Sequence, residues 1–340
     1  MEYREMLENA KKVMAPVCRV CKECNGRACR GEVPGSGGRD TGNTFTHNYD
    51  YLAHIKINFD VIYENHGQDC STEFLGRKLS VPLMAAPCAG AEMLFGHYTD
   101  EQYADMLISG CLEAGTLAFT GDGPPPEFFE GPIPAIRRAN GLAIPTVKPW
   151  NMDLVYKKMD MILDANPIAF AMDIDGAGHG HFSDSMGMLP KSMDQLKEII
   201  AYANRPFIIK GIMTPKSAEK AAACGAYAIV VSNHGGRVYD NVPATMEVLR
   251  SIKAAVGDDV KILIDGGFRT GSDIFKAIAW GADTVLMGRP FVIAVHGAGK
   301  EGAVMHVKRM EAQLQEAMRM TGCATIKDIT PDMVMLSDFI

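Results

Sequence analysis

From Pro82 onward the chain repeats one pattern: a short apolar run that ends in small or polar residues, followed by a segment of helical period. The runs are Leu83 to Ala86, Leu117 to Thr120, Ala143 to Val147, Ala169 to Ile174, Phe207 to Lys210, Ala228 to Val231, Ile262 to Asp265 and Thr284 to Met287. Between them lie helical patterns such as Thr99 to Glu113, Met152 to Leu163, Met193 to Ala203, Pro215 to Cys224, Ala244 to Val256 and Ser272 to Trp280. Continuous apolar runs of this length, alternating with helices, predict parallel strands buried on both faces. Eight of them predict an α/β fold, a (β/α)8 TIM barrel, in preference to an open doubly wound sheet, because about 250 residues is the usual size of such a barrel. The expected division is a cap over residues 1–80 and the barrel over 81–340.

A barrel makes the strand ends the place to look for chemistry. The sixth run opens into Ser232-Asn233-His234-Gly235-Gly236-Arg237. An arginine there can hold an anion while the imidazole beside it moves a proton. The seventh and eighth runs end in Asp265-Gly266-Gly267-Phe268-Arg269 and Gly288-Arg289-Pro290, and the first of these leads into a helix at Thr270-Gly271-Ser272-Asp273. Guanidinium groups beside a helix start, after strands seven and eight, predict a phosphate site. The other ends contribute Pro87, Cys88 and Ala89, then Thr120, Lys148, Asp173 with Asp175, and Lys210. All would converge on one mouth.

Bulk properties remove other classes. The 340 residues carry 41 acidic and 34 basic side chains, a net charge of -7, with no basic run, so nucleic acid is not an expected partner. No apolar run reaches membrane-spanning length, and Met1 to Lys12 reads as a charged helix and not as a signal peptide; no membrane partner and a cytoplasmic location are expected.

The SNHGGR segment, followed by Asp240 and Pro243-Ala244-Thr245, together with Asp265-Gly266-Gly267-x-Arg269-x-Gly271-x-Asp273 and Gly288-Arg289-Pro290, resembles the FMN-dependent α-hydroxy acid oxidase and dehydrogenase family. The likeness runs from about Asn48 to Ile329, including Ser71-Thr72 and Thr321-Gly322-Cys323. The resemblance implies a TIM barrel that binds FMN and oxidises a small 2-hydroxy acid to a 2-oxo acid, passing electrons to an acceptor the sequence does not name. It implies His234 as the base, Asp175 as its partner, and Arg237 as the anchor of the substrate carboxylate. Lys210 would lie by the flavin N1 and C2 carbonyl; Arg269, Gly288 and Arg289 would hold the phosphate; Asp265, Gly266 and Gly267 would line the ribityl tail. Ser232, Pro87, Cys88, Ala89 and Thr120 would border the ring. Barrels of this family often assemble as tetramers, so a homo-oligomer is expected.

The sequence departs from the family at three places. The second substrate arginine is missing, the segment reading Gly178-His179-Gly180-His181-Phe182; the strand-three tyrosine is replaced in Pro145-Thr146-Val147-Lys148; and the early tyrosine gives way to Val33-Pro34-Gly35. Lys148, His179 and His181 are the candidates for a replacement cation, Lys148 first because it ends a strand that points into the mouth. Cys18, Cys21, Cys24 and Cys29 crowd into one glycine-rich stretch with arginines interleaved. Thiolate ligation of an iron–sulfur cluster or zinc is one expectation, and packed or free thiols in a cap the other. Two functions compete with hydroxy acid oxidation: another FMN-barrel reaction such as that of type 2 isopentenyl diphosphate isomerase, and a metal-cluster flavoprotein for electron transfer or redox sensing.

Overall fold

Eight strands follow one another in a single parallel sheet: β1 (Leu83–Ala85), β2 (Phe119–Thr120), β3 (Ile144–Val147), β4 (Phe170–Asp173), β5 (Phe207–Ile212), β6 (Ala228–Val231), β7 (Lys261–Ile264) and β8 (Thr284–Met287). In this computed structural model, which describes residues 1–178 and 187–337, β8 pairs with β1 through Leu83, Met84 and Ala85. An Ala85–Ala118 bridge beside the start of β2 closes the ring. The fold is therefore the (β/α)8 barrel expected from the eight apolar runs.

Strand parity explains why those runs read as continuously apolar. Met84, Phe119, Ile144, Ala171, Ile208, Val230, Leu263 and Leu286 fill the barrel interior, while Leu83, Phe170, Ile209, Ile229, Ile262 and Val285 face the surrounding helices. Both faces are buried, so neither needs polar residues. A hairpin, Thr72–Phe74 with Arg77–Leu79, adds Phe74 and Leu79 to the interior cluster.

The helices start where capping chemistry places them. Thr99 accepts from the Gln102 amide at the start of Asp100–Glu113, and Ser192 and Thr270 do the same for Met193–Ala203 and Gly271–Ala279. The last helix, Arg289–Met320, runs 32 residues and is interrupted at Ala298 and Gly299. Its buried side was not marked in the sequence as one helix because the non-helical φ/ψ at those two residues resets the apolar period.

The segment before β1 wraps the barrel. Helix α1 (Tyr3–Val13) packs so closely on the last helix that a Cβ on Gly297 would lie 2.3 Å from the Met6 carbonyl. Helix α2 (Asn43–His54) locks to the loop after β6 through a reciprocal amide pair, Asn48 and Asn233, at 2.8 and 2.9 Å. Ile55–Ile57 pairs antiparallel with Val334–Leu336, tying the segment before the barrel to the segment after it.

Candidate active site

The same parity that fills the barrel with apolar residues aims polar ones into its mouth. Continuing the inward rows upward, Ala171 leads to Asp173, Ile208 to Lys210, Val230 to Ser232, Leu263 to Asp265, and Ile144 to Lys148. A side chain that would cost several kcal/mol inside the barrel can be accommodated one layer higher, where partners converge. Asp173 sits at the centre. Its two oxygens meet Lys148 Nζ at 3.1 Å and Lys210 Nζ at 3.0 Å, and His234 Nδ1 lies 3.4 Å away. Lys210 also reaches Asp265 at 3.7 Å.

His234 is aimed by its backbone. At φ +57° it adopts the left-handed conformation that few non-glycine residues take, with its amide donating to Ser232 Oγ at 3.1 Å. The turn sends Nδ1 to within 3.2 Å of both oxygens of Asp175. Room for that carboxylate comes from Gly211, at a register shift in β5 with φ +102°, where a Cβ would lie 2.8 Å from the Asp175 Cβ. Donation from Nδ1 to the carboxylates makes Nε2 the nitrogen that takes a proton.

Burial and charge set the protonation states. Burial, aided by the neighbouring Asp173 carboxylate, pushes Asp175 up to about 8. Burial opposes ionisation of Asp173 as well, but His234, Lys210 and Lys148 outweigh it and hold its pKa well below the usual carboxylate range. The His234 pKa is pulled well below that of an ordinary histidine, first by burial and then by the nearby cations, with Asp173 offsetting only part. Burial thus disfavours charge on His234 and Asp175, while the two lysines favour it on Asp173. For Lys210, burial is outweighed by Asp173 and Asp265, which raise its pKa above the ordinary lysine value.

Three arginines form the opposite wall, and the cap lies on them. Arg237 Nη1 donates to the carbonyls of Gly35 and Gly37; Arg289 donates to Ser36 at 2.8 Å and Gly37 at 3.0 Å; Arg269 donates to the Cys24 carbonyl at 2.8 and 3.0 Å. Arg289 also stacks on Phe45, 3.8 Å from the ring centre. Gly235 is required beside it, since a Cβ there would come within 2.8 Å of Arg289 Nη1. Burial, then repulsion from Arg237, lowers the Arg289 pKa to about 10. Arg237 Nη2 makes no hydrogen bond among the described residues.

Between these walls lies a cavity of about 810 Å³ lined by Lys148, Asp173, Lys210, His234, Arg237, Arg269 and Arg289, with Pro87, Cys88, Ala89, Asp265, Gly266, Gly267 and Gly288. Its size suits a cofactor with a small substrate. Asp265 Oδ1 is buried without a hydrogen-bond partner in the protein, as an acceptor meant for a ligand hydroxyl would be. With two guanidinium groups after strands seven and eight, that donor set fits FMN. The expected residues thus come together, except that Thr120 and Ser232 are buried outside the cavity lining and Asp175 stands behind His234, also outside it. His179 and His181 lie outside the described residues.

In the mouth, Asp173, Asp175 and His234 are close enough to suggest a metal site. Two lysine ammonium groups already sit on Asp173. The four cap cysteines line a common cavity, with no three of their sulfurs within 4.8 Å of one another.

The closed barrel and its kinship place the protein among flavin-dependent oxidoreductases acting on CH–OH donors. The chain belongs to the FMN-dependent dehydrogenase family, whose profile matches residues 35–119 and 139–336. It is 30% identical over 331 residues to an L-lactate oxidase of Roseobacter sp. (strain GAI101), covering 88% of each chain. It is 34% identical over 271 residues to an L-lactate dehydrogenase of Yersinia pestis (strain Pestoides F), covering 74% of this chain and 69% of that one. Its fold superposes on a lactate oxidase of Pediococcus acidilactici with a TM-score of 0.79 at 24% identity, over 99% and 95% of the two chains. A monotopic membrane (S)-mandelate dehydrogenase gives 0.80 at 19% identity, over 98% and 99%.

Sequence reasoning undervalued three residues. Asp173 was visible only as one of two strand-four aspartates, yet it is the hub of the ion pairs. Asp122 takes the Lys148 amide at 2.9 Å, Trp150 Nε1 at 2.6 Å and Lys158 Nζ at 2.9 Å, fixing the backbone under Lys148. Arg39, from the cap, lines the cavity and donates to Val238 and Gly178 carbonyls. Parity could have flagged Asp173; nothing local could have placed Arg39.

Proposed function

We propose that the enzyme oxidises a small 2-hydroxy acid to its 2-oxo acid, with His234 as the base and Arg237 as the carboxylate anchor. The observation that carries this is the juxtaposition of a neutral imidazole, held at Nδ1 by Asp175, and a buried guanidinium lining the same cavity. FMN supplies the two-electron acceptor when bound. Arg269, Arg289 and Gly288 would hold its phosphate, Asp265, Gly266 and Gly267 its ribityl chain, and Pro87, Cys88 and Ala89 the ring, with Thr120 and Ser232 behind them. Lys210 would place a positive charge beside the ring.

The protein residues divide the remaining work. Arg237 spends Nη1 on the cap carbonyls and keeps Nη2 for the substrate carboxylate. His234 Nε2 takes the proton, and the imidazolium so formed faces the ionised Asp173, which stabilises the new charge. Lys148, buried against Asp173, is our choice for the second cation near the carboxylate in place of the family's absent arginine.

We also place the protein in the cytoplasm as a homo-oligomer, with the cap over 1–80 and the barrel over 81–340. No helix among the described residues is long and apolar enough to cross a membrane. Exposed Phe59, Val61, Ile62, Met320, Met335 and Leu336 lie on or near the strand pair that joins the segments flanking the barrel, an apolar surface that supports assembly. Light scattering on the purified protein tests the oligomer.

The decisive test of the chemistry is anaerobic mixing with a panel of 2-hydroxy acids. Bleaching of the flavin absorbance by one of them, lost in His234→Gln while FMN stays bound, is the expected result. No bleaching by any acid, or full bleaching in His234→Gln, would sink the assignment.

A further inference from the structure

We propose that Cys18, Cys21, Cys24 and Cys29 hold a four-iron iron–sulfur cluster inside the cap. Neither the barrel nor hydroxy acid oxidation calls for these residues, and the proposal stands independently of both. The four line one cavity. Its other walls are largely apolar, with Met14, Phe45, Phe95 and Val292 among them. Structural cysteines are normally scattered through a core one at a time, as Cys70, Cys111, Cys224 and Cys323 are here. Four around one cavity, with no disulfide among the described residues, is a ligand set in search of a centre.

Spacing distinguishes which centre. Cys18, Cys21 and Cys24 form C-x2-C-x2-C, the three-cysteine run of bacterial ferredoxins, with Cys29 as a nearby fourth thiolate. Zinc ribbons instead use two separated pairs. Four thiolates on one zinc, at about 2.3 Å from the metal, must lie roughly 3.8 Å from one another. No three of the four sulfurs lie within 4.8 Å of one another. Sulfurs set wider apart than one zinc allows suit a polynuclear core, whose thiolates sit on different metal atoms.

The backbone and the charges agree. Val20 takes φ +43°, a conformation a β-branched residue adopts only under constraint, and its amide thereby points at Cys18 Sγ, 3.5 Å away. Backbone N–H groups gathered by a left-handed residue form the anion-binding concavities found at iron–sulfur sites. A core with four thiolates carries net negative charge. Arg19 and Arg289 line the cavity, and Arg269 Nη2 lies 3.5 Å from Cys24 Sγ. Two of these three arginines also line the flavin cavity, so the two sites share a wall.

The test is metal and sulfide analysis of the full chain, purified without oxygen and also after incubation with ferrous iron and sulfide. Expected are about four irons and four sulfides per chain, and a paramagnetic signal on reduction with dithionite. The substitution Cys21→Ser, at an exposed position whose loss the fold can bear, should remove most of the iron and sulfide while FMN released on denaturation is unchanged. Zinc without sulfide, no metal after reconstitution, or undiminished iron and sulfide in Cys21→Ser would each overturn the proposal. Iron and sulfide in a chain that takes up no FMN would instead overturn the flavin assignment and leave this one standing.

Discussion

The barrel mouth and the cap both gather reactive side chains, but by opposite means. At the mouth, Asp173, Lys210, Asp265 and Lys148 are delivered by strand parity from a sheet whose interior is close-packed. In the cap, position comes from long-range hydrogen bonds to barrel loops. Asp240 accepts from the Thr41 hydroxyl at 2.6 Å and the Thr44 amide at 2.8 Å, and the three mouth arginines hold the carbonyls of Cys24 and Gly35 to Gly37. A rigid sheet sets chemistry that tolerates no drift. A hydrogen-bonded cap is coupled to the same cations that line the cavity.

The largest effect should follow from cutting that coupling at Arg237. Arg237→Met removes both the substrate anchor and a cap contact, and kcat/KM for the best acid should fall by about 10²-fold or more. A fall below tenfold would show that the guanidinium serves the cap alone. Lys148→Met should raise the half-saturating substrate concentration by about tenfold, with kcat changed less. An unchanged value would confine Lys148 to neutralising Asp173.

Asp240→Asn tests the cap from its other end. The expected cost is about 1–3 kcal/mol, since the acceptor holds several donors. Burial opposes the charge on Asp240, but its hydrogen bonds with Thr41 and Thr44 win and depress the pKa to about 2. A depressed carboxylate contributes fully above its unfolded pKa of about 3.9 and loses that contribution as pH falls. The melting-temperature gap between wild type and variant should therefore be widest above about pH 4 and close toward pH 2; a gap that persists at about pH 2 would break the link.

The smallest effect is a shape. Because the His234 pKa lies below that of an ordinary histidine, kcat/KM should stay level as pH falls through about 6.5 and decline only lower. An acid limb at or above that value would mean that the free enzyme's base is not the imidazole in the state deduced here.

Much of the mouth was legible because local patterns carry it. Eight apolar runs of strand length predict the barrel, and the glycine-arginine pieces after the last two, with the His234–Arg237 pair, meet at one cavity as their strand-end positions imply. The extent of the last helix was not legible, because the break at Ala298 and Gly299 hides its period. Nor was the centrality of Asp173 over Asp175: the two lie two residues apart, and only the tertiary structure brings Lys148 and Lys210 onto the first of them.

By itself, then, the sequence determined the barrel and the cofactor class, since these follow from periodicity and from residues adjacent in the chain. The tertiary structure alone decided the protonation states and the cap's seat on the arginines. Those depend on burial and on charges brought together from strands and loops far apart in sequence, and the energy of a buried charge is set by its neighbours in space.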